Sequence, residues 1–85
     1  MGFQIIIIRK GISMIKADDY NYLQNFGKKI ILKLNNDKTT EDVFLGVDYF
    51  DDNDVGDGFI LAVDGDTSVG RLVLEKDVER VEFAN

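Results

Sequence analysis

Glu41-Asp42-Val43-Phe44-Leu45-Gly46-Val47-Asp48-Tyr49-Phe50 is the stretch that decides the fold. Its β-branched and aromatic side chains read as one long strand. Alternation puts Val43, Leu45, Val47 and Tyr49 on one face and Phe44 and Phe50 on the other. Gly46 interrupts the run without a side chain, which predicts a bulge or a sharp bend. A strand that bends can serve two layers of a small barrel. If the Val43 face is core, the rings of Phe44 and Phe50 are left to a partner or a neighbouring subunit. A bent strand can also bury both faces.

Working outward, Lys29 to Leu34 alternates, with Ile30, Leu32 and Leu34 on one face, and Asn35-Asn36-Asp37-Lys38 supplies the turn. Phe59 to Val63 is the next strand, and Asp64-Gly65 is a hairpin signal. Val69 to Leu74 follows, then the turn Glu75-Lys76-Asp77, then Val78 to Phe83 with Val81 and Phe83 inward. Ala17 to Phe26 reads as a short helix, with Asp18 as its cap and Asp19, Tyr22, Leu23 and Phe26 on one face. Gly27 is its stop. The expectation is an all-β chain: a small five-stranded antiparallel barrel over residues 14–85, one domain, with a short N-terminal helix.

Residues 1–13 allow two readings. Phe3-Gln4-Ile5-Ile6-Ile7-Ile8 reads as an extra strand that needs pairing or cover, because an exposed run of this kind aggregates. Alternatively, Arg9-Lys10-Gly11 can be encoded by a purine-rich stretch placed like a bacterial ribosome-binding site ahead of Met14. Met1–Ser13 would then be translated leader. The isoleucine run is too short to span a bilayer and lacks the flanks of a secretory signal. No membrane association is expected, and the expected compartment is the cytoplasm.

Composition narrows the chemistry. The 85 residues contain no Cys, His or Pro. That removes thiolate metal sites, the commonest zinc ligand and the commonest general base. Sixteen acids against ten bases give a formal net charge of −6, which opposes non-specific binding to phosphate backbones and attracts basic partners. Lys28, Lys29, Lys33 and Lys38 cluster at the first strand and its turn, and read as a solvated face.

The acids concentrate where the long strand ends. Asp48, Asp51, Asp52, Asn53, Asp54 and Asp57 lie in one Gly-flanked loop and, with Phe44 and Phe50, are the candidate contact residues. Asp51, Asn53 and Gly56 begin like an EF-hand loop, but its twelfth position, which needs a bidentate acid, would be Ala62. No metal site and no cofactor is therefore expected. The serines and threonines have no His or Cys partner with which to build a nucleophile, and a wet acidic loop does not split carboxyl pKa values. The chain is read as non-enzymatic.

Leu23-Gln24-Asn25-Phe26-Gly27-Lys28-Lys29-Ile30-Ile31-Leu32-Lys33-Leu34 resembles the helix end, glycine and first strand of the Sm/LSm-like family of SH3-like small barrels. Gly46 sits where that family bends its second strand, and Leu72 to Phe83 resembles its last two strands. The resemblance runs from Leu23 to Phe83. It implies a ring in which the fourth strand of one subunit pairs with the fifth of the next, and binding of uridine- or adenosine-rich RNA. The RNA-contact motifs depart from the family pattern. An aspartate followed by an asparagine four residues later is not found, since Asp48 leads to Asp52 and Asp51 to Val55. The Arg-Gly turn is replaced by Glu75-Lys76.

Three functions follow as expectations. The first is an Sm-like homo-oligomer that binds RNA or a nucleotide-type ligand. The second is an acidic protein whose loop mimics phosphates and blocks a nucleic-acid-binding partner, as small phage-encoded inhibitors do. The third is an assembly component without a ligand. Five aspartates within ten residues repel one another by about 1 kcal/mol per pair at 4 Å in water, and a basic partner relieves that. Replacing Asp51, Asp52 and Asp54 with Asn is expected to leave the melting temperature level or raised while salt-sensitive capture of a basic partner falls. Unchanged capture removes the loop as the contact.

Overall fold

The computed structural model describes residues 15–50 and 56–84. Within them the chain forms five antiparallel strands: β1 (Lys29–Leu34), β2 (Thr39–Asp48), β3 (Gly58–Val63), β4 (Asp66–Leu74) and β5 (Val78–Ala84). Their order in the sheet is β4-β3-β2-β1-β5. The all-β expectation holds. No helix among the described residues is long and apolar enough to cross a membrane.

β2 is shared between two halves of the sheet. Residues 39–43 pair with β1, from Lys33↔Thr39 to Lys29↔Val43. Beyond Phe44 the partner is β3, with Phe44↔Leu61, Gly46↔Ile60 and Val47↔Phe59. The register slips at Leu45, so Leu45 and Gly46 together face Ile60. This is the bulge that Gly46 predicted, and its φ of 153° suits glycine.

The bulge corrects the expected faces of β2. Phe44 is fully buried, in the cluster formed with Ala17, Ile30, Leu32, Phe59, Leu61 and Val78. Val43 and Leu45 are half-buried and Tyr49 is exposed. An extra residue in the strand resets the two-residue period, so Phe44 and Val47 both pack on the core, which strict alternation forbids. Phe44 is therefore not an outward ring open to a partner. It meets Phe26, Phe59 and Phe83 at ring-centre distances of 5.6, 6.2 and 5.8 Å.

The other strands follow the pattern of their side chains. Ile30 and Leu32 are buried, and Leu34, Val81 and Phe83 pack beside them. Asp64 and Gly65 have φ values of 51° and 80°, as the two-residue hairpin between β3 and β4 requires. The Asp42 carboxylate accepts from the Gly65 N–H at 3.1 Å and ties β2 to that turn.

Two further expectations are corrected. The helix over Ala17–Phe26 is instead two short 3-10 turns, Ala17–Tyr20 and Leu23–Asn25, joined by extended Tyr22. The segment is poor in helix formers, and its polar side chains compete for the backbone: Asn25 Nδ2 donates to the Tyr20 carbonyl at 2.9 Å. Asp18 caps neither turn, and Tyr22 and Leu23 are exposed. The barrel is also not closed. No pairing joins β4 to β5 among the described residues, because the tight turn Glu75–Asp77 sends β5 to β1. The proposed strand at residues 3–8 lies outside the described residues.

Phe44 stands where the two halves meet: its N–H donates to the Lys28 carbonyl at 2.8 Å while it pairs with Leu61. Phe44→Ala is expected to cost about 3–5 kcal/mol in a denaturant titration, since it opens a large cavity in the shared core. A cost below 1 kcal/mol, as for a surface ring, would contradict this packing.

Candidate functional site

The described end of β2, the start of β3 and the turn before β5 meet the N-terminal 3-10 turn at one acidic corner. Glu75 lies at its centre, nearly buried at 9 % exposure. Its Oε1 accepts from the Ala17 N–H at 2.8 Å. Its own N–H donates to the Asp57 carbonyl at 2.9 Å. A methyl group at Gly56 would stand 3.1 Å from Glu75 Oε2, so the loop backbone approaches the carboxylate closely. The family resemblance places a cation at this turn. Here the acid is a structural fastener that holds residues far apart in sequence.

A second link runs along the surface. The Tyr49 hydroxyl donates to Asp18 Oδ1, and Asn21 Nδ2 donates to the Tyr49 oxygen at 2.7 Å. The bond to Asp18 favours the protonated phenol and holds the Tyr49 pKa above its ordinary value. Partial loss of hydration acts in the same direction, and the Asn21 bond acts against it.

The candidate contact residues separate. Asp48 is exposed at the last position of β2, paired with Gly58. Asp57 is half-buried, and its Oδ1 accepts from the Phe50 N–H at 3.2 Å, which closes the base of the loop. Phe50 is half-buried and Phe44 is in the core. Asp51, Asp52, Asn53 and Asp54 lie outside the described residues. Among the described residues no group of three or more acids could hold a metal ion. Sequence reasoning missed Glu75 and Tyr49 as fasteners. Nothing local signals either, since their partners lie 58 and 31 residues away.

The lysines of the first strand are partly matched. Lys29 pairs with Glu41 and Lys33 with Glu79, in exposed ion pairs that add little to stability. Ile31, Lys33, Thr39, Arg80 and Glu82 line a depression of about 80 Å³, well below the roughly 300–1,000 Å³ of small-molecule pockets. The arrangement offers surfaces and strand edges. No family model, curated protein or solved structure matches the chain.

The raised Tyr49 pKa sets an alkaline test. A phenol titrates near about 10 when unfolded. With the folded pKa above that, the stability tied to the Tyr49 proton is fully present below the unfolded value. It is lost as pH rises through the folded value. Ultraviolet titration, with Tyr49→Phe to assign the signal, is expected to place Tyr49 ionisation above the ordinary range. Asp18→Ala should bring it down.

Proposed function

We propose that the chain is a non-enzymatic, Sm-like binding module of the cytoplasm that self-associates and takes RNA or a nucleotide-type ligand. The observation that carries this reading is the open sheet. Among the described residues its order, β4-β3-β2-β1-β5, leaves β4 and β5 as two edges at opposite ends. Unpaired edges are templates for another chain, and a head-to-tail contact between unlike edges generates a ring when the rotation closes. The resemblance to the Sm/LSm-like family points to the same pair of strands. Two depressions among the described residues, of about 80 and 190 Å³, are smaller than a pocket that encloses a ligand, which fits a ligand bound between copies.

The acidic corner favours a second reading. Asp18, Asp19 and Asp48 are exposed around buried Glu75, and the chain carries a formal charge of −6. A basic protein surface matches that corner better than a phosphate does. In this reading the protein occupies the nucleic-acid-binding face of its partner. An assembly component that binds neither is the remaining outcome.

Light scattering at tens of micromolar is expected to give a mass several times the 9.6 kDa of one chain. Copurified nucleotide should raise the ratio of absorbance at about 260 nm to that at about 280 nm, because nucleobases absorb where this Trp-free chain absorbs weakly. A monomer removes the ring reading. An oligomer without nucleotide that captures a basic protein selects the acidic reading, and one that captures nothing selects the assembly component.

A further inference from the structure

Four hydrogen bonds close a ring around the acidic corner. The Tyr49 hydroxyl donates to Asp18 on the N-terminal turn. The next residue, Phe50, donates its N–H to Asp57 Oδ1 at 3.2 Å. The Asp57 carbonyl accepts from the Glu75 N–H at 2.9 Å. Glu75 Oε1 accepts from the Ala17 N–H at 2.8 Å, and Ala17 adjoins Asp18. Each bond joins two of four segments: the N-terminal turn, the end of β2, the approach to β3 and the turn before β5. Any one segment that moves away breaks two of these bonds.

The N-terminal segment depends on this ring more than the strands do. Its 3-10 turns make local bonds, such as the Asn21 N–H to the Asp18 carbonyl at 3.2 Å, and it takes no part in the sheet. Ala17 and the Tyr20 ring face the core, while Tyr22 and Leu23 stand 57 % and 87 % exposed. A stretch with few buried side chains and no ladder opens at a lower free energy than the strands beneath it. The chain is tied to the sheet again from Gly27, whose N–H donates to the Phe44 carbonyl at 2.9 Å. Gly27 has a φ of 88°, which glycine adopts freely, so a hinge falls there.

We propose that residues 15–25 form a latch, hinged at Gly27, that opens and closes as one unit with the base of the acidic loop while the sheet stays folded. The ring makes the docking of the turn and the closing of the loop base a single event, so loosening one tether loosens the other. With the latch closed, Phe50 and Asp57 are held together and the end of the core is covered. With it open, Phe59 and Phe83 lose the Tyr20 ring that packs on them at 6.0 Å, and Asp57 loses its fixed place beside Phe50. The N-terminal turn thereby sets the shape in which the β2–β3 loop is presented. This holds whether the corner meets a nucleic acid, a basic protein or neither.

The test is amide hydrogen exchange of the full chain, of Tyr49→Phe, which removes one tether, and of Glu75→Gln, which weakens the other. The Ala17 and Phe50 N–H groups report on the latch, and the Leu32 and Leu61 N–H groups report on the sheet. In Tyr49→Phe, exchange at Ala17 is expected to rise about threefold to tenfold although its acceptor Glu75 is untouched. Phe50 should rise by the same factor, with Leu32 and Leu61 unchanged. In Glu75→Gln, Phe50 should rise together with Ala17, again without change in the sheet. Unchanged exchange at Ala17 in Tyr49→Phe, or at Phe50 in Glu75→Gln, overturns the latch, because the bonds then act separately. An equal rise at Leu32 and Leu61 also overturns it, because the turn then opens only with the whole fold. Tyr49→Phe removes one exposed hydroxyl, so it keeps the test decisive if Glu75→Gln does not fold.

Discussion

The bulge at Leu45-Gly46 is the constraint on which the rest of the structure depends. A regular β2 would turn either Phe44 or Val47 away from the core, because side chains alternate along a strand. One extra residue lets both point inward, opposite Leu61 and Phe59. The same slip marks the change of partner from β1 to β3. The two halves of the sheet therefore share one core, in which the Phe44 ring touches Phe26, Phe59 and Phe83. Tilted ring pairs of this kind contribute about 0.5–1.5 kcal/mol each beyond their buried area.

A single sheet bent in this way leaves one end of the core to be closed by something other than a strand. The N-terminal turns do this. Ala17 is buried in the core cluster, and the Tyr20 ring packs on Phe59 and Phe83 at 6.0 Å. Their position is set by the buried Glu75 carboxylate and by Tyr49 through Asp18. A nearly buried carboxylate is costly unless it accepts hydrogen bonds, and the Ala17 N–H provides one. The acids of this corner thus divide into those that fasten the fold and those that face solvent. Only the second kind is open to a partner.

The edges divide in a similar way. Among the described residues β5 exposes Glu79, Arg80 and Glu82, whereas residues 70–74 of β4 carry Arg71 as their one charge, so the two edge strands differ in charge. That asymmetry suits a head-to-tail contact, where each copy supplies a different surface. It underlies the proposed self-association. The acidic loop and the lysines of β1 are secondary in this scheme, since Lys29 and Lys33 already have carboxylate partners.

The sequence by itself determined the strands, the turns and the all-β class. The alternation of Ile30, Leu32 and Leu34, the Asp64-Gly65 pair and the position of Gly46 are local signals with local causes. Phe44 was misread for a physical reason: a bulge shifts phase by one residue, and the sequence shows the glycine but not which side chains it turns inward. The helix reading of Ala17–Phe26 failed because spacing outweighed weak propensity, where the decisive contacts were the burial of Ala17 and the stacking of Tyr20. Of the candidate contact residues, Asp48 was legible as an exposed acid, while the fastening role of Glu75 was not. Only the tertiary structure decided which acids hold the fold together and which strands stand at the edges of the described sheet, because both depend on contacts between residues tens of positions apart.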